Sequence, residues 1–136
     1  MQPQEIDQKI KEHPDAELLV HPECGCLTPY LDRVARAGTS DQLKVASTEG
    51  MIQRATTSSA KKFVVATEIG ILHRLKKENP EKEFFPINQE MSCMYMKMIT
   101  LEKLHRSLVE DVFEVTVPED IAQKARKSIE RMISIY

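Results

Sequence analysis

Four short runs rich in β-branched and aromatic residues recur along the chain: AELLVH (16–21), LKVAS (43–47), KFVVAT (62–67) and EFFPI (83–87). Segments of helical character separate them, and that alternation constrains the fold more than anything else in the sequence. The runs are almost continuously apolar, whereas a half-exposed strand alternates apolar and polar residues. Both faces of each strand are therefore expected to be covered. Parallel neighbours need a crossover between them, usually a helix. The sequence predicts an α/β fold, a short parallel sheet of about four strands with crossover helices and a C-terminal helix.

The intervening segments support this. PQEIDQKIKEH places Ile6 and Ile10 one turn apart, with His13 beside Pro14 as the helix end. TEGMIQRATTSS follows the second run directly. IGILHRLKKENP follows the third, with Ile69, Leu72 and Leu75 at helical spacing and Lys76 and Lys77 in the last turn before Pro80. Leu27 to Ala37 reads as a helix around Leu31 and Val34, its start blurred by Thr28-Pro29. Beyond the last run lie TLEKLHRSLVE (100–110) and PEDIAQKARKSIERMISIY (118–136). The latter has Pro118 at the first helical position, acids in the first turn, and Ile121, Ala125, Ile129 and Met132–Ile133 on one face. VFEVTV (112–117) alternates and reads as a short strand or an extended connection. The α/β part is expected over about 16–92, followed by a loop and helices over 93–136.

At 136 residues the chain suits one domain, and a net charge of −2 gives no electrostatic case for nucleic acid or an anionic membrane. No apolar run approaches the roughly 20 residues of a spanning helix. The polar N-terminus carries no signal-peptide core, so a cytoplasmic protein is expected. Three cysteines, Cys24, Cys26 and Cys93, are an odd number that argues against a disulfide framework.

In open parallel sheets, ligands bind beyond the carboxyl ends of the strands. That explains why the apolar run Leu18-Leu19-Val20 ends abruptly in His21-Pro22-Glu23-Cys24-Gly25-Cys26. The second run ends in Ser47-Thr48-Glu49-Gly50, a helix mouth suited to a carboxylate or phosphate. The third ends in Thr67-Glu68-Ile69-Gly70, and the fourth leads to Cys93. Plainer readings compete. Ser47 and Thr67 are helix N-caps first, Glu68 answers a helix dipole, His73 and His105 are surface or packing residues, and Lys76, Lys77 and Lys82 form a solvated edge. Cys24, Cys26 and Cys93, with His21 as a fourth ligand, would make a thiol-metal site.

At HPECGC, STEGM, FVVATEIGILHRLKKENPEKEFFP and CMYMKMITLEKL the sequence resembles the quinolinate synthase family. The resemblance runs from about Glu5 to the C-terminus and corresponds to the carboxy-terminal portion of the family's usual length. It implies a fold of three similar α/β domains around a [4Fe–4S] cluster, to which each domain gives one cysteine. The implied reaction condenses iminoaspartate with dihydroxyacetone phosphate to quinolinate, in NAD biosynthesis.

Carried over position by position, His21, Pro22 and Glu23 match the His-Pro-Glu of the substrate site. Glu23 would serve as acid/base and His21 as hydrogen-bond donor. Ser47 and Thr48 match the pair that binds a substrate carboxylate, and Cys93 matches the third cluster ligand. Cys24 belongs to the motif without being a cluster cysteine, and Cys26 falls in a branch-specific stretch. The segment from Leu27 to Ala46 departs from many members. Its Gly38-Thr39-Ser40 imitates the Ser-Thr motif, but Ser47-Thr48 has the better distance to VVATE.

The resemblance leaves two of the three cluster cysteines outside this chain. The expectation is a carboxy-terminal portion of the enzyme, truncated or excised, inactive alone and exposing apolar surface where sister domains pack. The competing readings are a non-catalytic α/β module that docks onto a partner, and an independent thiol-metal protein.

Overall fold

In the computed structural model, which describes residues 2–38 and 41–135, the chain divides into two compact units between Met94 and Tyr95. The first contains α1 (Pro3–Glu12), β1 (Glu17–Val20), α2 (Thr28–Ala37), β2 (Leu43–Val45), α3 (Thr48–Thr57), β3 (Lys62–Ala66), α4 (Ile71–Glu78) and β4 (Glu83–Pro86). The second contains α5 (Leu101–Glu110) and α6 (Glu119–Ile133). All four expected strands form one sheet of order β2-β1-β3-β4, every pairing parallel.

Strand alternation sorts the side chains into two cores. Leu18, Val20, Val64 and Ala66 face α1 and α2, where they pack with Ile6, Leu27 and Tyr30. Leu19, Phe63, Val65 and Phe84 face α3 and α4, where they meet Met51, Ile52, Ala55 and Leu75. Phe63 and Phe84 stack with centroids 5.3 Å apart. Covering both faces is what the continuous apolar runs required. Each fully buried large side chain contributes roughly 1.5–3 kcal/mol, against about 0–1 for an exposed ion pair such as Arg36–Asp32. The two cores, not the surface charges, hold the sheet together.

A polar cluster also joins α3 to β1. Arg54 on α3 grips Glu17 of β1 through two hydrogen bonds of 2.8 and 2.7 Å, and Ser58 donates a third at 2.6 Å. The Arg54 guanidinium, helped by Ser58 and opposed by partial burial, holds the Glu17 carboxyl below its ordinary range. Lys82, expected on a solvated edge, instead donates from Nζ to the carbonyls of Ala55 and Ser58. A cation at the carboxyl end of α3 answers both the unpaired carbonyls and the helix dipole. Lys76 and Lys77 do lie exposed in the last turn of α4.

One further local expectation is corrected, and another is decided between its two alternatives. Pro118 is the N-cap of α6 rather than its first helical residue. VFEVTV forms no strand, for Asp111 and Phe113 take left-handed φ values of 52° and 67°. An alternating pattern needs a partner strand to become sheet, and among the described residues none pairs with this segment, whose Val115 is 87% exposed.

No residue described in the second unit is buried. Leu101, Leu104 and Leu108 recur along α5, and Ile121, Ile129 and Ile133 along α6, all exposed. Exposed apolar surface was expected of this chain, and it is concentrated here.

Candidate functional site at the carboxyl rim of the sheet

Because all four strands run in parallel, their carboxyl ends share one edge of the sheet. From β1 the chain moves outward to β2 and then crosses back past β1 to β3, so the strand order reverses between β1 and β3. In such folds that reversal opens the ligand crevice.

His21 leaves β1 directly, half-buried, with Pro22 and Glu23 exposed behind it. The Glu23 N–H donates to His21 Nδ1 at 3.3 Å, and the Cys24 N–H donates to the His21 carbonyl at 3.3 Å. Proline between the two fixes φ and helps close this small turn. A short 3₁₀ turn over Gly25–Leu27 follows and runs straight into α2, whose blurred start in the sequence reflects this change of pitch.

Ser47 lies two residues beyond β2, the strand paired with β1. The Ala46 N–H donates to the Val20 carbonyl at 3.0 Å, which ties the end of β2 to the end of β1. Ser47 is the N-cap of α3, its Oγ accepting from the Gly50 N–H at 3.2 Å. Thr48 is the first helical residue and is exposed. A Cβ on Gly50 would stand 3.1 Å from the Ala46 Cβ, so glycine lets the helix start press against the strand end. Glu49 in the first turn is gripped by Arg74 of α4 at 2.9 and 3.4 Å. That guanidinium offsets a carboxylate which would otherwise repel an anion at the helix mouth.

The ends of β3 and β4 close the other side. Thr67, expected as an N-cap, is not one, since α4 begins at Ile71 with Gly70 before it. Its hydroxyl instead meets the Cys24 thiol, Oγ1 to Sγ 3.3 Å, across the reversal point. Glu68 is buried and accepts from the Gly70 N–H at 2.7 Å. The Ile69 N–H donates to the Met91 carbonyl at 2.9 Å, which draws the segment after β4 back to the rim two residues before the half-buried Cys93. Sequence reasoning found the rim residues but missed the Thr67–Cys24 contact and the Arg74–Glu49 pair. Both join residues far apart in the chain, and no local pattern encodes them.

Among the described residues no three His, Cys, Asp or Glu side chains are grouped to hold a metal ion. Cys24, Cys26 and Cys93, with or without His21, therefore do not form the closed thiol-metal site considered from the sequence. His73 and His105 are exposed, and His13 caps α1 and stacks on Phe85 at 3.8 Å. Thr39 and Ser40, the imitation of the Ser-Thr motif, lie outside the described residues.

The family model described as Quinolinate synthetase A protein matches residues 1–134. The chain belongs to this family. Curated relatives, each named quinolinate synthase, agree. The protein of Pyrobaculum aerophilum is 52% identical over 127 residues, 93% of this chain and 41% of the relative. That of Thermus thermophilus is 50% identical over 126 residues, 93% and 39% respectively. That of Mycobacterium tuberculosis is 46% identical over 132 residues, 96% and 38%. The chain thus spans about two fifths of the length of these quinolinate synthases. Among the described residues no helix is long and apolar enough to cross a membrane.

Proposed function

We propose that this chain carries one side of a quinolinate synthase active site, for the condensation of iminoaspartate with dihydroxyacetone phosphate. In this reading His21 donates a hydrogen bond to a substrate carboxylate or carbonyl. Glu23 moves protons during condensation and dehydration. Ser47 and Thr48 hold a substrate carboxylate at the positive end of α3, where helix N–H groups lack intrahelical acceptors. The remaining substrate contacts come from the portion of the relatives that this chain does not match, on the same polypeptide or another. Three free thiols suit a reducing compartment, and we place the protein in the cytoplasm.

The observation that carries the reading is adjacency. The two motifs follow neighbouring strands, β1 and β2, whose ends are hydrogen-bonded to each other.

The family resemblance also implies a [4Fe–4S] cluster, which would polarise substrate oxygen or nitrogen as a Lewis acid. Such clusters are held by several cysteine thiolates. The residues of this chain do not fit one by themselves, because Cys93 stands in no grouping of three metal-capable side chains among the described residues. Cys93 is proposed as one ligand of a set completed outside this chain.

The test is a chimera in which this chain replaces the matching stretch of the Pyrobaculum aerophilum quinolinate synthase. Assayed anaerobically, it should form quinolinate within about tenfold of the parent rate, a change of at most about 1.4 kcal/mol in barrier. A folded chimera with the parent's cluster absorption but no quinolinate would overturn the proposal.

A further inference from the structure

The geometry points to Thr67 as a positioning residue for His21: through the Cys24 side chain it pins the His21–Glu23 turn, and that turn holds the imidazole in its Nε2–H tautomer. The importance of this rests on the reading of His21 as a substrate-facing donor, whereas its evidence is independent of catalysis.

The chain of contacts starts at the reversal point of the sheet. Val20 and Ala66 are register partners, so His21 and Thr67 leave adjacent strands side by side. Thr67 is 9% exposed, and its hydroxyl lies 3.3 Å from the Cys24 thiol. Cys24 also packs on the core beside Leu27, and its carbonyl accepts from the Leu27 N–H at 2.8 Å. The turn is thereby fixed at its far end. At its near end the Glu23 N–H donates to His21 Nδ1.

A neutral imidazole has one N–H and one bare nitrogen, and a nitrogen that accepts a hydrogen bond is the bare one. The proton must then sit on Nε2, the nitrogen not engaged by the turn. An exposed loop histidine would exchange freely between the two forms. Here the backbone selects the form that presents a donor, and the Thr67 hydroxyl keeps the backbone in place. The plainer alternative is that Cys24 holds the turn by packing alone, with the hydroxyl incidental.

Nitrogen-15 NMR of the histidine side chains in the 136-residue chain separates the two. At pH about 8.5, some two units above an ordinary histidine, the ratio of Nε2–H to Nδ1–H at His21 should exceed that in a capped His-Pro-Glu-Cys peptide. The expected excess is roughly fivefold, the factor set by one net hydrogen bond. Thr67→Val keeps the volume and removes the hydroxyl, and should return the ratio to within about twofold of the peptide. Cys24→Ser retains a partner for Thr67 and should keep the wild-type ratio. The signals of His73 and His105 serve as internal references.

A wild-type ratio equal to the peptide's overturns the inference, and this comparison needs no variant to fold. A folded Thr67→Val protein that keeps the wild-type ratio overturns it as well. A chimera that forms no quinolinate would sink the catalytic reading and leave this result standing. An unlocked imidazole in an active chimera would do the reverse.

Discussion

Replacing Glu23 by glutamine in the Pyrobaculum chimera is expected to lower kcat by about 10²–10⁴-fold, the range typical of losing a general acid or base. KM should change far less. Glutamine matches the carboxylate in size and still forms hydrogen bonds, so it preserves binding while losing the ability to exchange a proton at neutral pH. The position suits such a role. Glu23 is exposed at the mouth of β1, and its backbone N–H is already spent on His21, so the turn fixes the backbone while the carboxylate faces outward. A kcat within about threefold of the unmutated chimera, less than about 0.7 kcal/mol of barrier, would remove Glu23 from the chemistry.

A second large effect concerns the cluster. Anaerobic reconstitution of the isolated 136-residue chain with iron and sulfide should give no stoichiometric [4Fe–4S] absorption, and no quinolinate from the two substrates. A cluster of this kind needs several thiolates converging on one point. Cys93 lies on a loop beyond β4, in no grouping of three metal-capable side chains among the described residues. In the chimera the opposite is expected, and Cys93→Ser there should abolish the cluster signal. The contradicting result is a cluster at one per chain, which would require a site within this polypeptide. One cluster per three chains would contradict it equally, since three copies of Cys93 would then supply the thiolates.

The sheet was legible because its strands bury both faces. Leu18-Leu19-Val20 and Phe63-Val64-Val65-Ala66 supply alternate residues to two separate cores, a demand that leaves a continuous apolar run in the sequence. Positions one residue beyond such runs were equally legible as rim residues, because a parallel sheet puts all its carboxyl ends on one edge. Tertiary partners were not legible. Thr67 looks like a helix cap from its neighbours, yet the helix starts four residues later and the hydroxyl turns to Cys24. Lys82 looks like surface charge, yet it finds the carbonyls at the end of α3. VFEVTV shows the converse, a strand pattern with no strand paired to it among the described residues. Each of these outcomes depends on which elements become neighbours, a property of the whole chain rather than of any window within it.

The central claim, that His21, Glu23, Ser47 and Thr48 converge on one substrate, is tested most directly by a crystal structure of the chimera with quinolinate bound. The account predicts one carboxylate of the product at the start of α3, with Ser47 or Thr48 and the Nε2 of His21 each about 2.7–3.2 Å from product oxygens. Well-defined density for quinolinate elsewhere, touching none of these residues, would contradict it.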